Sequence, residues 1–162
     1  GAIETVVENI RKVNRNALII KTASVLKADR EIKGKKVVVI EDGPTLTHGN
    51  MNFGAGIVAA KLFGANPVDP RPYASGTIKK IFEKYPKLGP LIPAMGYSDS
   101  QKKELEEAIN STPAEIALIA TPVDLSRVLK LNKPYAAISY EIEEMESPGL
   151  KGLIENFVKS SR

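Results

Sequence analysis

Cysteine is absent from the 162 residues, which removes disulfides and thiolate metal sites. Histidine occurs once, at His48, so a cage of several imidazoles is excluded as well. No apolar run approaches the length of a membrane span. Residues 1–14 mix charges with aliphatics instead of forming the apolar block of a signal peptide. These absences point to a cytoplasmic protein with no membrane partner. There is no arginine-rich arm and no basic–aromatic alternation, so nucleic acid is not an expected partner. A G-x-x-x-x-G-K-[ST] motif is also missing, so the sequence carries no P-loop. The first methionine is Met51, which predicts a piece of a longer protein, with Gly1 an added residue.

What is present is ordinary globular composition, 43% hydrophobic and 26% charged, with a formal net charge of +4. The length fits one α/β domain over residues 1–162. Ile3, Val6, Val7, Ile10 and Val13 recur at helical spacing and predict an amphipathic helix. A short apolar strand is expected at residues 17–20 and a polar loop or weak hairpin at 25–35. Val37, Val38, Val39 and Ile40 are four consecutive β-branched residues, the mark of a strand buried on both faces. Residues 41–53 read as a loop, 55–63 as a helix, and 67–69 as the end of a short strand. A helix starting near Ser75, a strand at 91–95, and a helix opened by Ser98 and Gln101 follow. Strands are predicted at 116–120 and 135–140, with a helix start at 121–124 between them. A final helix within 145–162 carries Leu150, Leu153, Ile154, Phe157 and Val158 on one face, spacing that usually marks core or a subunit contact. This alternation predicts a three-layer, Rossmann-like, mostly parallel sheet with helices on both faces. Ligands in such folds bind beyond the carboxyl ends of the strands.

Residues 41–49 leave the strongest strand with two carboxylates, two hydroxyls, the histidine and two glycines. Gly43, Thr45, Thr47 and Gly49 are candidates for phosphate contacts, and Gly54 and Gly56 near a helix start suit an anion. Asp42 is a candidate magnesium ligand, and His48 a proton donor or charge stabiliser. The plainer alternative is a turn at 42–44 with a surface histidine. In residues 69–77 two prolines flank Arg71, and a guanidinium so held suits a phosphate. Ser75 and Gly76 add a helix start, for which capping is the plain explanation. Gly96 and Tyr97 are weaker candidates for ligand cover, and Ser98 reads as a cap. Thr121, Asp124 and Arg127 are further candidates for substrate or phosphate contacts; Thr121 and Asp124 form a capping pair, which alone explains them, and Arg127 one turn further on could face the same crevice. Lys133 precedes the last strand and is expected at the opposite end of the sheet. The charges at 102–104 and 141–144 read as solvated faces.

In the stretches 39–49, 68–74, 91–97, 121–125 and 132–134 the chain resembles archaeal cyclic 2,3-diphosphoglycerate synthetases and related archaeal and bacterial predicted GTPases. The likeness runs in order over roughly residues 2–144. It implies the carboxy-terminal part of a longer enzyme whose upstream region supplies a P-loop, so the isolated chain is expected to be inactive. It further implies magnesium with ATP or GTP, and a small phosphorylated metabolite or nucleotide as ligand. Such a synthetase closes an intramolecular phosphoanhydride, for which Asp42, His48 and Arg71 are the expected catalytic residues. The alternative is a non-catalytic oligomerisation or regulatory unit, with a homodimer as its simplest form.

Overall fold

A computed structural model of the chain describes residues 1–160. The last two residues of the predicted final helix, 161 and 162, lie outside the described residues. The described part is a mixed α/β fold, a six-stranded, mostly parallel sheet with helices on both faces. This is the Rossmann-like class that the strand–helix alternation predicts. The chain divides into two compact units, residues 26–140 and residues 1–25 with 141–162.

The larger unit is built around β2 (Lys36–Asp42), in which Val37 to Ile40 are fully buried. β-Branched side chains fill both faces of a pleated strand well, and a parallel sheet covered on both sides demands that. Its neighbour on one side is β5 (Ile116–Ala120). Its other edge is shared by β3 (Asn66–Pro67), which meets its first residues, and β4 (Leu91–Ala94), which meets its last. Pro67 has no N–H to give, which suits so short a strand. All three pairings are parallel. β6 (Tyr135–Glu144) extends the sheet beyond β5, also parallel, and β1 (Thr22–Ala28) forms the edge beside it.

Three sequence expectations are corrected here. The first strand is not at 17–20. It is β1, made from residues that read as too polar because their burial alternates. Residues 41–53 are not all loop, because α2 (Gly43–His48) occupies their first half. Asp42 caps it by accepting from Thr45 N–H at 3.0 Å, and Pro44 sits in its first turn. The other helices of this unit are α3 (Ala55–Leu62), α4 (Gly76–Lys84) and α5 (Asp99–Ser111). Ser98 and Gln101 form the expected capping box of α5. The predicted helix start at 121–124 is only a single 3-10 turn, Leu125–Arg127.

The smaller unit carries α1 (Ala2–Val13) and α6 (Leu150–Ser160), both strongly one-sided in hydrophobicity. No described residue of this unit is buried. The core reading of the apolar row on α6 therefore fails; Leu150, Ile154, Phe157 and Val158 are exposed. No described helix is long and apolar enough to cross a membrane.

Candidate functional site

The parallel register sets the site. Asp42 stands level with Ala94, and Glu41 with Ala120. The carboxyl ends of β2, β4 and β5 thus form one edge, and residues 43–49, 95–98 and 121–127 all leave from it. That is where an open parallel sheet places a ligand.

Glu41 is the unexpected member of this edge. It is 2% exposed, a carboxylate at the end of an otherwise apolar strand. Oε1 accepts from the N–H of Ile57 at 2.8 Å, and the N–H groups of Gly54 and Gly56 also favour its charge. Only the Ile57 bond has good geometry, and Oε2 is buried without a partner. Burial dominates and raises the carboxyl above its usual range, against the N–H groups that pull it down. The two glycines make the space. A Cβ on Gly54 would stand 2.6 Å from Oε2, and one on Gly56 2.6 Å from Val39 Cγ1 and 3.0 Å from Oε1. The sequence counted Glu41 only as part of a polar loop; its signal was the first of two acids, still within the register of a β-branched run, ahead of a G-x-G helix start.

Asp42 lies beside it, partly exposed, and its Oδ2 accepts from both Thr45 N and Thr45 Oγ1, the latter at 2.5 Å. Thr47 Oγ1 turns back onto the carbonyls of Gly43 and Pro44, at 3.0 and 3.4 Å. Gly43 lets α2 press on β4, since a side chain there would strike Met95 and the Ala94 carbonyl. His48 and Gly49 are exposed at the end of α2. Across the edge, Thr121 Oγ1 accepts from Val123 N–H at 3.0 Å. Asp124 holds Ser126 through N–H and Oγ, at 3.2 and 2.6 Å, and pairs with Arg127 Nε at 3.1 Å. Asp42, Gly43, Thr45, Thr47, Thr121 and Asp124 are therefore gathered on two neighbouring strand ends.

Ser75 and Gly76 head α4, but the helix start is already filled. Glu104 of α5 accepts from Thr77 N–H at 2.7 Å and from its hydroxyl. Those two bonds hold the Glu104 carboxyl below its usual range. Glu104 is thus a capping group, where the sequence placed it on a solvated face. Gly76 adopts φ +53° and leaves room for that carboxylate. Ser75 makes no side-chain cap bond.

Arg71 is engaged elsewhere. Nη1 lies 3.0 Å from both oxygens of Asp69, Nη2 donates to the Leu88 carbonyl, and the guanidinium stacks 5.2 Å from the Phe82 ring. None of those partners belongs to the edge formed by Asp42, Ala94 and Ala120. Tyr97 carries a buried hydroxyl without a partner. Lys133 lies before β6, as its position predicts. Its Nζ donates to the carbonyls of Ile109, Asn110 and Thr112 at 2.9, 3.4 and 2.5 Å and so closes the end of α5. Among the described residues no group of three acidic or histidine side chains stands close enough to hold a metal ion.

The fold and this edge define an open α/β domain with its polar loops on the carboxyl side. No family model and no solved structure matches the chain. Among curated proteins it is 52% identical over 161 residues to a protein named arginine synthetase ArcE, from Thermococcus kodakarensis (strain ATCC BAA-918 / JCM 12380 / KOD1). The match takes in 98% of this chain but spans only 36% of that protein's length.

Proposed function

We propose that the chain is a domain of a nucleotide-dependent, ligase-like enzyme, with the edge at Asp42 and Thr121–Arg127 forming part of its substrate site. The observation that carries this reading is the 52% identity, over almost the whole chain, to a protein named as a synthetase. The name of that relative gives the substrate class, an amino acid with a guanidinium or a precursor of one. The electrostatics of the edge agree. Its accessible acids are Asp42 and Asp124, and Arg127, the cation on the same loop as Asp124, is already paired with it. A carboxylate recognises a planar guanidinium through charge-assisted bonds, whereas a bisphosphate would meet repulsion there. Arg71, His48 and the phosphate contacts of Gly43, Thr45, Thr47, Gly49, Ser75 and Gly76 belong to a second reading. It is favoured by the resemblance of residues 39–49 and 68–74 to cyclic 2,3-diphosphoglycerate synthetases.

Under the second reading Asp42 would instead hold magnesium as a single carboxylate, since that ion is usually held by one or two carboxylates with phosphates and water. The ion would supply charge neutralisation to the nucleotide phosphates. In this reading the nucleotide itself is held by a P-loop elsewhere in the longer protein.

Calorimetry on the protein that carries this chain, with ATP or GTP and magnesium present, decides between the two. Arginine binding that weakens about tenfold in Asp42→Asn supports the first reading. Binding of 2,3-diphosphoglycerate that weakens in Arg71→Ala supports the second. Failure of both ligands would remove the substrate assignment altogether.

A further inference from the structure

Among the described residues, the buried side-chain polar atoms without a hydrogen-bond partner are Glu41 Oε2 and the Tyr97 hydroxyl. Native folds leave few such atoms, because each forfeits its hydration with no bond in return. Both belong to the carboxyl edge of the sheet. Glu41 is the last residue but one of β2, level with Pro93 of β4, and Tyr97 lies in the segment that leaves β4. The capping duty of Glu41 uses Oε1, which accepts from Ile57 N–H at 2.8 Å. Oε2 is aimed at the start of α3, where Gly54 makes room for it. Around the carboxyl group stand Leu46, Gly54, Gly56 and Ile57, with Pro93 and Ala120 level on the neighbouring strands, and none of them carries a charge. Residues 50–53, which lead to Gly54, are exposed and belong to no helix or strand. They are tied by Met51 N–H to the Leu46 carbonyl at 2.9 Å and by Gly89 N–H to the Asn52 carbonyl at 2.7 Å.

We propose that Glu41 is a ligand-binding residue of this edge, whose Oε2 accepts an N–H group of the ligand at the start of α3. The ligand's identity rests on the substrate class proposed above, an amino acid with a guanidinium or a precursor of one. A free helix start draws an anion. Here a carboxylate already fills that place, and an ionised carboxylate only accepts hydrogen bonds. A phosphate therefore cannot satisfy the free oxygen, whereas a nitrogen bearing hydrogens can. A guanidinium brings several such donors in one plane, and its bond to Oε2 is charge-assisted. Displacement of residues 50–53 from the start of α3 opens the way to Oε2. The bond then formed replaces the burial of an unmet oxygen.

Calorimetry and hydrogen exchange on the protein that carries this chain test this, with arginine as the first probe. Glu41→Gln changes a single atom of the site. Its amide oxygen still accepts from Ile57, while an NH2 group stands where Oε2 was and meets the ligand's donor with another donor. Arginine affinity is expected to fall about tenfold or more in this variant, with the fold retained by circular dichroism. In the wild type, arginine should also slow exchange of the amides at residues 54–57. That second measurement decides if the variant does not fold: slowing supports the proposal, and unchanged exchange overturns it. Equal arginine affinity in wild type and a folded Glu41→Gln overturns it too and leaves Glu41 a helix cap. If the wild type does not bind arginine, the substrate reading fails, and methylguanidinium and methylammonium become the probes for Glu41. Slowed exchange at 54–57 with either cation upholds the N–H site without that substrate. No response to any of the three overturns the site itself.

Discussion

Glu41 concentrates the main physical tension of the larger unit in one side chain. It is buried, one oxygen is satisfied by Ile57, and the other has no partner. Its folded-state carboxyl is raised by burial, so the folded chain binds its proton more tightly than the unfolded chain does. The stability linked to Glu41 is therefore fully present below the ordinary carboxylate range and is lost as pH rises through the raised value. Glu41→Gln keeps the shape and the acceptor for Ile57 but cannot ionise. Thermal melts from acid to neutral pH should show the variant gaining on the wild type as pH climbs. Parallel melting curves at all pH values would mean that Glu41 binds its proton equally well in the folded and unfolded chains. The glycines around it give a second outcome. Gly56→Ala drives a methyl into Val39, Ala120 and the Glu41 carboxylate, at 2.6, 2.9 and 3.0 Å. Overpacking of this kind costs about 1–3 kcal/mol, read as a shift in denaturant midpoint at constant slope.

At the scale of elements, helices start on carboxylates borrowed from other parts of the chain. Glu41 serves α3, Glu104 serves α4, and Glu144 accepts from Leu150 N–H at 2.8 Å to start α6. A negative group at a helix start satisfies free N–H groups and suits the helix dipole. The starts of α3 and α4 are positions that the sequence offered to an incoming phosphate. It could show that a helix began after Gly54 or Ser75, but not that a distant acid had reached it first. The same limit explains Arg71. Two prolines mark it as held, while its holders, Asp69, Leu88 and Phe82, lie partly outside the local pattern. Elements with a strong internal pattern were legible: α1 from apolar residues at helical spacing, β2 and β5 from unbroken apolar runs. α2 was not, because six residues behind a Gly-Pro pair look like a turn. At the other end of α5, Lys133 closes three carbonyls. Lys133→Met should cost about 1–2 kcal/mol, for charged hydrogen bonds partly replaced by water. Chemical denaturation would measure it, and a neutral result would mean that water satisfies the α5 carbonyls equally well.

Across the molecule, burial is distributed very unevenly. Among the described residues the larger unit holds all the buried ones, from Ile32 ahead of β2 to Ala136 on β6, whereas residues 1–25 and 141–160 hold none. Local opening is cheap where few apolar groups leave water. Hydrogen exchange on dilute protein should therefore label the amides of α1 and α6 well before those of β2 and β5. Equal protection in both units at low concentration would contradict the burial pattern.

The glycine–carboxylate pairs carry a consequence for sequence variation. At Gly54, Gly76 and Gly149 a methyl group would run into Glu41, Glu104 and Glu144 respectively. Neither member of such a pair can drift alone: a side chain at the glycine evicts the acid, and loss of the acid strips a helix start of its partner. In a deep set of related sequences, positions 41 and 54, 76 and 104, and 144 and 149 should change together. Adjacent residues without that steric bond, such as Lys102 and Lys103, should vary independently.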